Sequence, residues 1–503
     1  MAITRRSALW WLAGAAACRR HPGTVSRIAT IVAPWELRGS TTASVTTFLR
    51  LGVGEALTAP ADGGGAAGAL AESWSLASDR LTWRFLLREN VRRHDGSPLT
   101  ARTVVRILEG LRDQTALRNA PIEYLTAENT RTVLIRTARP FSPLAMYLCS
   151  TPVMDISWDP RGQSLHAIGT GPYRVVEMDG STRLDLEAFP AYWGARPELR
   201  RIRYLGVASP ESRAWMAQSG EADVVFTLSP VSAERLRRTK QTELVDVRMA
   251  RIRILKFNCG SQFFSDPRVR LAISSAIDRR GIADGILHDG GSAASQLFPP
   301  EMTGWHQPGL SCPYQPDHSR RLLAEAGWTP GPDGIVVRNG RPFHVELLTY
   351  SSRPDLPEIA VAIQAQLRAV GILVDILIGE SSAISDAHGQ GSLQMALLAR
   401  SLGAMPDPIG TLTSDFMEGG GEFGAMNWRN YDAQRAIAGY LASFDEKERQ
   451  LFRRQIATTL NQELPVVPLA WYQDHISVSS RVSGFVADPY ELHYSLERLR
   501  WKP

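Results

Sequence analysis

Leu81-Thr82-Trp83-Arg84-Phe85-Leu86-Leu87-Arg88, followed by Val91-Arg92-Arg93-His94-Asp95-Gly96-Ser97-Pro98-Leu99-Thr100, is the stretch that decides the fold. Residues 81–88 read as a half-buried strand, because successive side chains of a strand point to opposite faces. Asp95-Gly96-Ser97-Pro98 supplies a turn, in which His94 and Asp95 are expected at the surface. Thr100 then caps a helix whose apolar residues Val104, Val105, Ile107, Leu108 and Leu111 share one buried face. A strand, a turn and a capped amphipathic helix in direct succession are the local signature of a mixed α/β chain.

The same reading extends outward. The small residues from Ala59 to Ala71 predict a loop at the tip of a surface hairpin. Residues 132–136 and 174–188 read as strands, and Asp266-Pro267 opens a helix with Val269, Leu271, Ala272, Ile273, Ala276 and Ile277 apolar. Helices are predicted over 320–326 and 358–370, the second stopping at Gly371 before a strand over 372–378. A helical pair over 432–442 and 445–463 ends at Pro465. Strands and helices alternate without a strict βαβ rhythm, which predicts an α/β architecture with more than one sheet.

Composition sets the bounds. At 503 residues with 44% apolar content, the chain is long enough for several units, each with its own core. Its 41 glycines and 31 prolines are too few for a collagen-like or low-complexity chain. The formal charge of +5 comes mostly from scattered arginines. The longest basic cluster, Arg200-Arg201-Ile202-Arg203, lies among strand-like residues and is not a basic stripe interleaved with aromatics, so no nucleic-acid partner is expected. Beyond the extreme N-terminus, no apolar run reaches the ~18 residues of a membrane-spanning helix.

Residues 1–18, MAITRRSALWWLAGAAAC, read as an export address. Arg5 and Arg6 precede an uncharged run from Ser7 to Ala17 that has the length of a signal-peptide core. The segment around Arg5-Arg6 resembles a twin-arginine signal, although a bulky residue is more usual at Ala8. Ala15-Ala16-Ala17-Cys18 resembles a lipoprotein box with Ala15 in place of the usual branched residue. Acylation of Cys18 would anchor the mature chain to the outside of a membrane. Cys149, Cys259 and Cys312 then remain, enough for at most one internal disulfide.

No catalytic or metal motif assembles: there is no GxSxG elbow, no HExxH, no phosphate loop, and no helical pair of histidines. No enzyme activity, cofactor or metal site is expected. Several segments taken together instead resemble the substrate-binding proteins of peptide/nickel-type ABC importers, solute-binding family 5. They are Leu70-Ala71-Glu72-Ser73-Trp74, residues 81–88 and 91–100 already quoted, then Gly169-Thr170-Gly171-Pro172-Tyr173, Tyr192-Trp193-Gly194, Ser219-Gly220-Glu221-Ala222-Asp223, and Phe257-Asn258. Asp266-Pro267-Arg268-Val269-Arg270, Ala276-Ile277-Asp278-Arg279, Ala324-Glu325-Ala326-Gly327-Trp328 and Pro465-Val466-Val467-Pro468-Leu469 complete the order. Most of these positions are scaffold. Gly169 and Gly171 are expected at positive φ, Gly327 as a left-handed helix stop, and Tyr192 and Trp193 as core aromatics with a satisfied polar tip.

The resemblance implies a two-lobed periplasmic-binding-protein fold (class II-like, type C) with an inserted domain and two crossing hinge strands. Carried over, lobe one is 24–55, 166–255 and 477–503; the inserted domain is 56–165; and lobe two is 256–476. The hinge falls near Leu255–Phe257 and His475–Val478. The implied function is capture of a peptide or peptide-like organic solute for an ABC permease and ATPase, by a monomer outside the cytoplasm. A nickel-type metal-chelate binder and a sensor that has lost transport are the alternatives. The implied ligand contacts are Trp35, Phe257, Asn258, Arg400, Leu402, Ala404, Asp407 and Asn427. Within Arg400–Pro408, Ala404 stands where peptide-binding branches carry the Asp that pairs with a ligand ammonium, and Leu402 replaces their Trp. Arg400 is then the expected cation for an anionic ligand group.

Overall fold

The computed structural model describes residues 27–37, 42–61, 65–158, 165–239, 242–403, 405, 407–418 and 420–503. Cys18 and the export segment lie outside the described residues. The strand Thr82–Leu87 and the helix Ala101–Leu111 form as the sequence predicts, and the Thr100 side chain accepts a hydrogen bond from the amide of Thr103. Asp95 does lie in an exposed turn, where it accepts from the Ser97 amide. His94 is half-buried rather than fully at the surface. Its Nδ1 accepts from the Gly169 amide, so its Nε2–H donates to the Gly171 carbonyl, at 3.2 and 3.0 Å. Burial holds this imidazole down to about pKa 4, so it is a neutral pin between two chain segments.

A ten-stranded sheet forms the frame. From one edge its order is Tyr173–Asp179, Arg183–Ala188, Arg201–Gly206, Ile28–Ala33 and Val224–Val225, then the long strand Val466–Ser479. The long strand Thr242–Phe257 follows, then Met395–Ser401, His344–Tyr350 and Leu373–Gly379. The two long strands therefore run through both halves. A separate four-stranded antiparallel sheet holds Ala71–Leu76, Thr82–Leu87, Thr132–Thr137 and Ile122–Ala127. Thr58–Pro60 pairs with Ala66–Gly68, the hairpin expected from the small-residue stretch.

Two main cores sit on this frame. One gathers Ile31, Phe48, Tyr173, Tyr204, Val224 and Leu499 around the first five strands. The other runs without a break from Phe85 and Leu108 beside the four-stranded sheet to Phe257, Leu347 and Tyr440. Ser142 joins the two parts of that second core: its amide donates to the Leu441 carbonyl at 2.7 Å. Gly169 and Gly171 are required for close approach and not for positive φ. A Cβ on them would lie 2.0 Å from the Val53 carbonyl oxygen and 2.2 Å from that of Gly52. Gly327 is the left-handed helix stop expected, at φ +85. Cys149, Cys259 and Cys312 are free thiols. Among the described residues no helix is long and apolar enough to cross a membrane.

Candidate functional site

The site begins where the two long strands stop pairing. Their register shifts between Arg248 and Ile252, opposite Gln473 and Trp471. Ala250, freed by this break, bonds elsewhere: its amide donates to the Pro489 carbonyl at 3.0 Å, and its carbonyl accepts from the Leu402 amide at 2.7 Å. The C-terminal segment and the loop that follows Ser401 thus meet at one point of the sheet. Gly403 makes the meeting possible, since a Cβ there would lie 2.8 Å from that of Ala250 and 3.1 Å from the Tyr490 ring.

Three arginines converge beside this break. The guanidiniums of Arg251, Arg253 and Arg353 lie 5.3, 4.5 and 5.1 Å from the ring centroid of Tyr472. Arg251 pairs with Glu491 at 2.5 Å, and Arg253 pairs with Asp355 at 2.5 Å. Burial opposes ionisation of both carboxylates, but their arginines win and hold them below the usual range. Arg353 differs. Its Nη1 meets the Tyr472 hydroxyl at 3.0 Å, and no carboxylate of the described residues stands within ion-pair distance of it. Arg353 and Asp355 keep some contact with solvent, so the cluster is not a sealed core.

Asp474 completes the cluster. Only 3% of it is exposed, and burial, assisted by repulsion from Glu491, pushes its carboxyl up to about 7. Arg251, Arg353 and Arg213 oppose that shift without reversing it. Glu491 itself sits at φ +54, a costly conformation for a side-chain-bearing residue. Asp488 holds the turn that imposes it, accepting from the amides of Tyr490, Leu492 and His493.

A larger cleft of about 1040 Å³ opens on the other side of Tyr490. Glu55, Tyr192 and Trp193 wall it on one side, and Met302, Trp305, Asp407, Arg449 and Arg453 on the other.

A family profile described as bacterial extracellular solute-binding proteins, family 5 Middle, matches residues 66–422. The chain belongs to this family. The nickel-binding periplasmic protein of Escherichia coli K12 is 24% identical over 426 residues, covering 80% of each chain. The dipeptide-binding protein of the same strain is 24% identical over 461 residues, covering 84% of each. The crystal structure of NikA from Brucella suis in complex with Fe(III)-EDTA superimposes with a TM-score of 0.83 at 24% identity, over 94% of this chain and 100% of that one. The α/β binding-protein fold and the role of extracytoplasmic solute-binding component of an ABC importer follow. The relatives are binding proteins and not enzymes.

The structure scatters the residues expected to contact the solute over several places. Trp35 borders the arginine cluster, its ring 5.2 Å from the guanidinium of Arg50, whose Nε donates to the Glu491 carbonyl at 2.7 Å. Leu402 is buried at the strand break, and Asp407 is buried in the wall of the large cleft. Asp407 accepts from the Tyr440 hydroxyl at 2.5 Å, the Ile409 amide at 2.8 Å and the Trp305 indole at 3.4 Å. Phe257, fully buried, stacks on Phe264 at 4.8 Å. Asn258 accepts from Asn427 at 2.8 Å and donates to the Leu393 carbonyl at 3.0 Å. Arg400 meets the buried Asp415 with two nitrogens, each at 2.6 Å. Ala404 lies outside the described residues.

Arg251, Arg253, Arg353, Tyr472, Asp474 and Glu491 are the residues that sequence reasoning missed. A signal existed. Met249-Ala250-Arg251-Ile252-Arg253-Ile254 places two arginines on one face of a strand that is otherwise apolar, and Asp474 interrupts a long buried run. Among the described residues no group of three metal-ligating side chains comes together.

Proposed function

We propose that this solute-binding protein captures a small organic anion, a peptide or peptide-like solute with a free carboxylate, at the arginine cluster and presents it to the permease and ATPase of its importer. Arg353 carries the reading: a partly exposed guanidinium beside two other arginines, whose own hydrogen-bond partner is a neutral hydroxyl and not a carboxylate. A guanidinium fork without a bonded carboxylate of its own can take one from a solute. The proposal includes the lobe division read from the sequence, 24–55, 166–255 and 477–503 against 256–476, with 56–165 inserted. The turning point is the interrupted pairing at Met249–Arg251, a few residues before the boundary read from sequence.

Native mass spectrometry of the purified protein tests this directly. A co-purified anion whose uptake stops when the gene is deleted supports the reading, and a metal isotope pattern in that spectrum would identify it as a chelate. A solute that carries no carboxylate or other anionic group overturns it. The proposal includes a monomer anchored through acylated Cys18, supported by the residues that precede it. Partition of the mature chain into detergent, lost in Cys18→Ser, is the expected outcome, and an unprocessed Met1 terminus in the cytoplasm contradicts it.

A further inference from the structure

The strand Ile28–Ala33 starts at the end of the sheet away from the arginine cluster, since its far end leads to Trp35, which borders that cluster. Several segments meet at the start. Ile28 lies opposite Arg201, and the Arg27 guanidinium lies 4.0 Å from the centroid of the Trp501 ring. Trp501 pairs in turn with Val482, and the Lys502 amide donates to the Arg481 carbonyl at 2.8 Å. The face so formed is basic. Arg27, Arg200, Arg201 and Lys502 are exposed, and none has an ion-pair partner among the described residues. Arg481 meets the buried Asp223 at 2.9 Å, and Arg500 meets Glu198 at 3.8 Å. Those two acids are neutralised in place, and Glu221 remains beside them as an exposed carboxylate.

Cys18 stands nine residues before Arg27, and an extended chain of that length spans at most ~30 Å. Arg19 and Arg20 directly follow the cysteine. An acyl group at Cys18 therefore keeps this face within reach of the lipid headgroups, with the arginine cluster a strand's length, ~20 Å, further off. A cationic surface that carries an indole suits an anionic lipid–water interface. Resting on the acylation of Cys18 proposed above, we infer that this end of the sheet docks on anionic lipid headgroups through Arg27, Arg200, Arg201 and Lys502, with Trp501 seated among them. The solute cluster then lies on the side away from the bilayer. Charges that salt screens carry the contact, so it is reversible and leaves the anchored protein free to meet its permease.

Each cation near an anionic surface is worth about fivefold in affinity, so an excess of two to three favours docking of the tethered protein by about 25- to 100-fold. Lys502 is the reporter, because N-hydroxysuccinimidyl acetate acetylates exposed lysines; Lys447, exposed on the helix Glu446–Glu463, is the internal reference. The acylated protein is reconstituted in vesicles of phosphatidylcholine alone and of phosphatidylcholine with about 30% phosphatidylglycerol, recovered by flotation, and labelled at low and at high salt. On the mixed vesicles at low salt, Lys502 is expected to react roughly fivefold more slowly than on the neutral ones, with Lys447 unchanged. High salt and the Arg200→Glu/Arg201→Glu variant are expected to abolish that protection, and melting curves check the fold of the variant. Equal labelling of Lys502 on the two vesicles overturns the docking face and leaves the Cys18 anchor standing, whether or not the variant folds. Protection of Lys447 to the same extent also overturns it, since any basic patch would then serve. Protein that floats with neither vesicle overturns the acylation and this inference with it.

Discussion

Trp193 donates its indole Nε1–H to Oε2 of Glu55 at 2.9 Å, across 138 residues of chain. The Tyr192 hydroxyl takes the other oxygen at 3.0 Å. Two consecutive aromatics thus clamp one carboxyl in the wall of the large cleft. Burial is the dominant influence on that carboxyl and pushes it up to about 7; the hydrogen bonds from Trp193 and Tyr192 offset only part of the shift.

A pKa raised by folding makes stability fall as pH rises. Below 4.5 Glu55 is protonated in both folded and unfolded chains and costs nothing; above about 7 it is ionised in both, and the full penalty is present. Glu55→Gln keeps an acceptor for Trp193 and places an N–H₂ against the Tyr192 oxygen. Its stability relative to wild type is expected to rise across that window, by at most about 3 kcal/mol. Denaturant melts at pH 4.5 and 8 measure it, and a difference that does not change with pH would show that folding leaves the Glu55 carboxyl at its ordinary pKa.

The strands and helices were legible because periodicity and caps are local. Thr100, Asp266, Asn430 and Asp445 each hold the first turn of a helix at or near a predicted start. The Tyr192–Trp193 pair was read as scaffold with satisfied polar tips, and Glu55 is what satisfies them. What could not be read is long-range. His94 looked like a surface turn residue because nothing in its neighbourhood announces Gly169 or Gly171. The arginine cluster draws on segments near 251, 353, 472 and 491, which only the folded sheet brings together. Arg400 stood out beside a family motif, whereas Arg353, in an unremarked loop, is the arginine without a carboxylate.

Arg400→Ala is expected to destabilise the protein. Asp415 is buried to 3% side-chain exposure and takes both of its charge-assisted bonds from Arg400. Removing one partner of such a pair leaves an uncompensated charge, which costs about 3–5 kcal/mol when burial is complete. Arg400 is 22% exposed, so a loss of about 2–3 kcal/mol is expected here. Arg400→Met with Asp415→Leu should restore most of the loss. A single variant that melts like wild type while losing solute affinity would place Arg400 in the binding site instead.

The break at Met249–Arg251 implies that the halves of the long strands turn relative to one another when solute binds. Small-angle scattering on the protein, stripped and then saturated with its co-purified solute, should show a smaller radius of gyration at unchanged circular dichroism. Equal radii would mean that the cleft does not close.

Arg353→Ala separates binding from scaffold most cleanly. In the solute-free protein, truncation removes one hydrogen bond to Tyr472, worth about 1 kcal/mol, and the longer-range attraction of Asp355 and Glu491 for the guanidinium. Asp355 and Glu491 keep their own ion-paired arginines, and Asp474 stays governed mainly by burial, so the melting temperature should move little. Affinity should suffer far more. The loss of a buried guanidinium from a solute carboxylate costs about 2–5 kcal/mol, so Kd should rise roughly 30-fold or more. Arg353→Lys keeps the charge but not the fork, and is expected to fall between the two. Calorimetric titration with the co-purified solute, beside melting curves taken without it, provides both readings. A variant with a sharply lowered melting temperature and unchanged Kd would make Arg353 part of the frame and leave the cleft without its anion anchor.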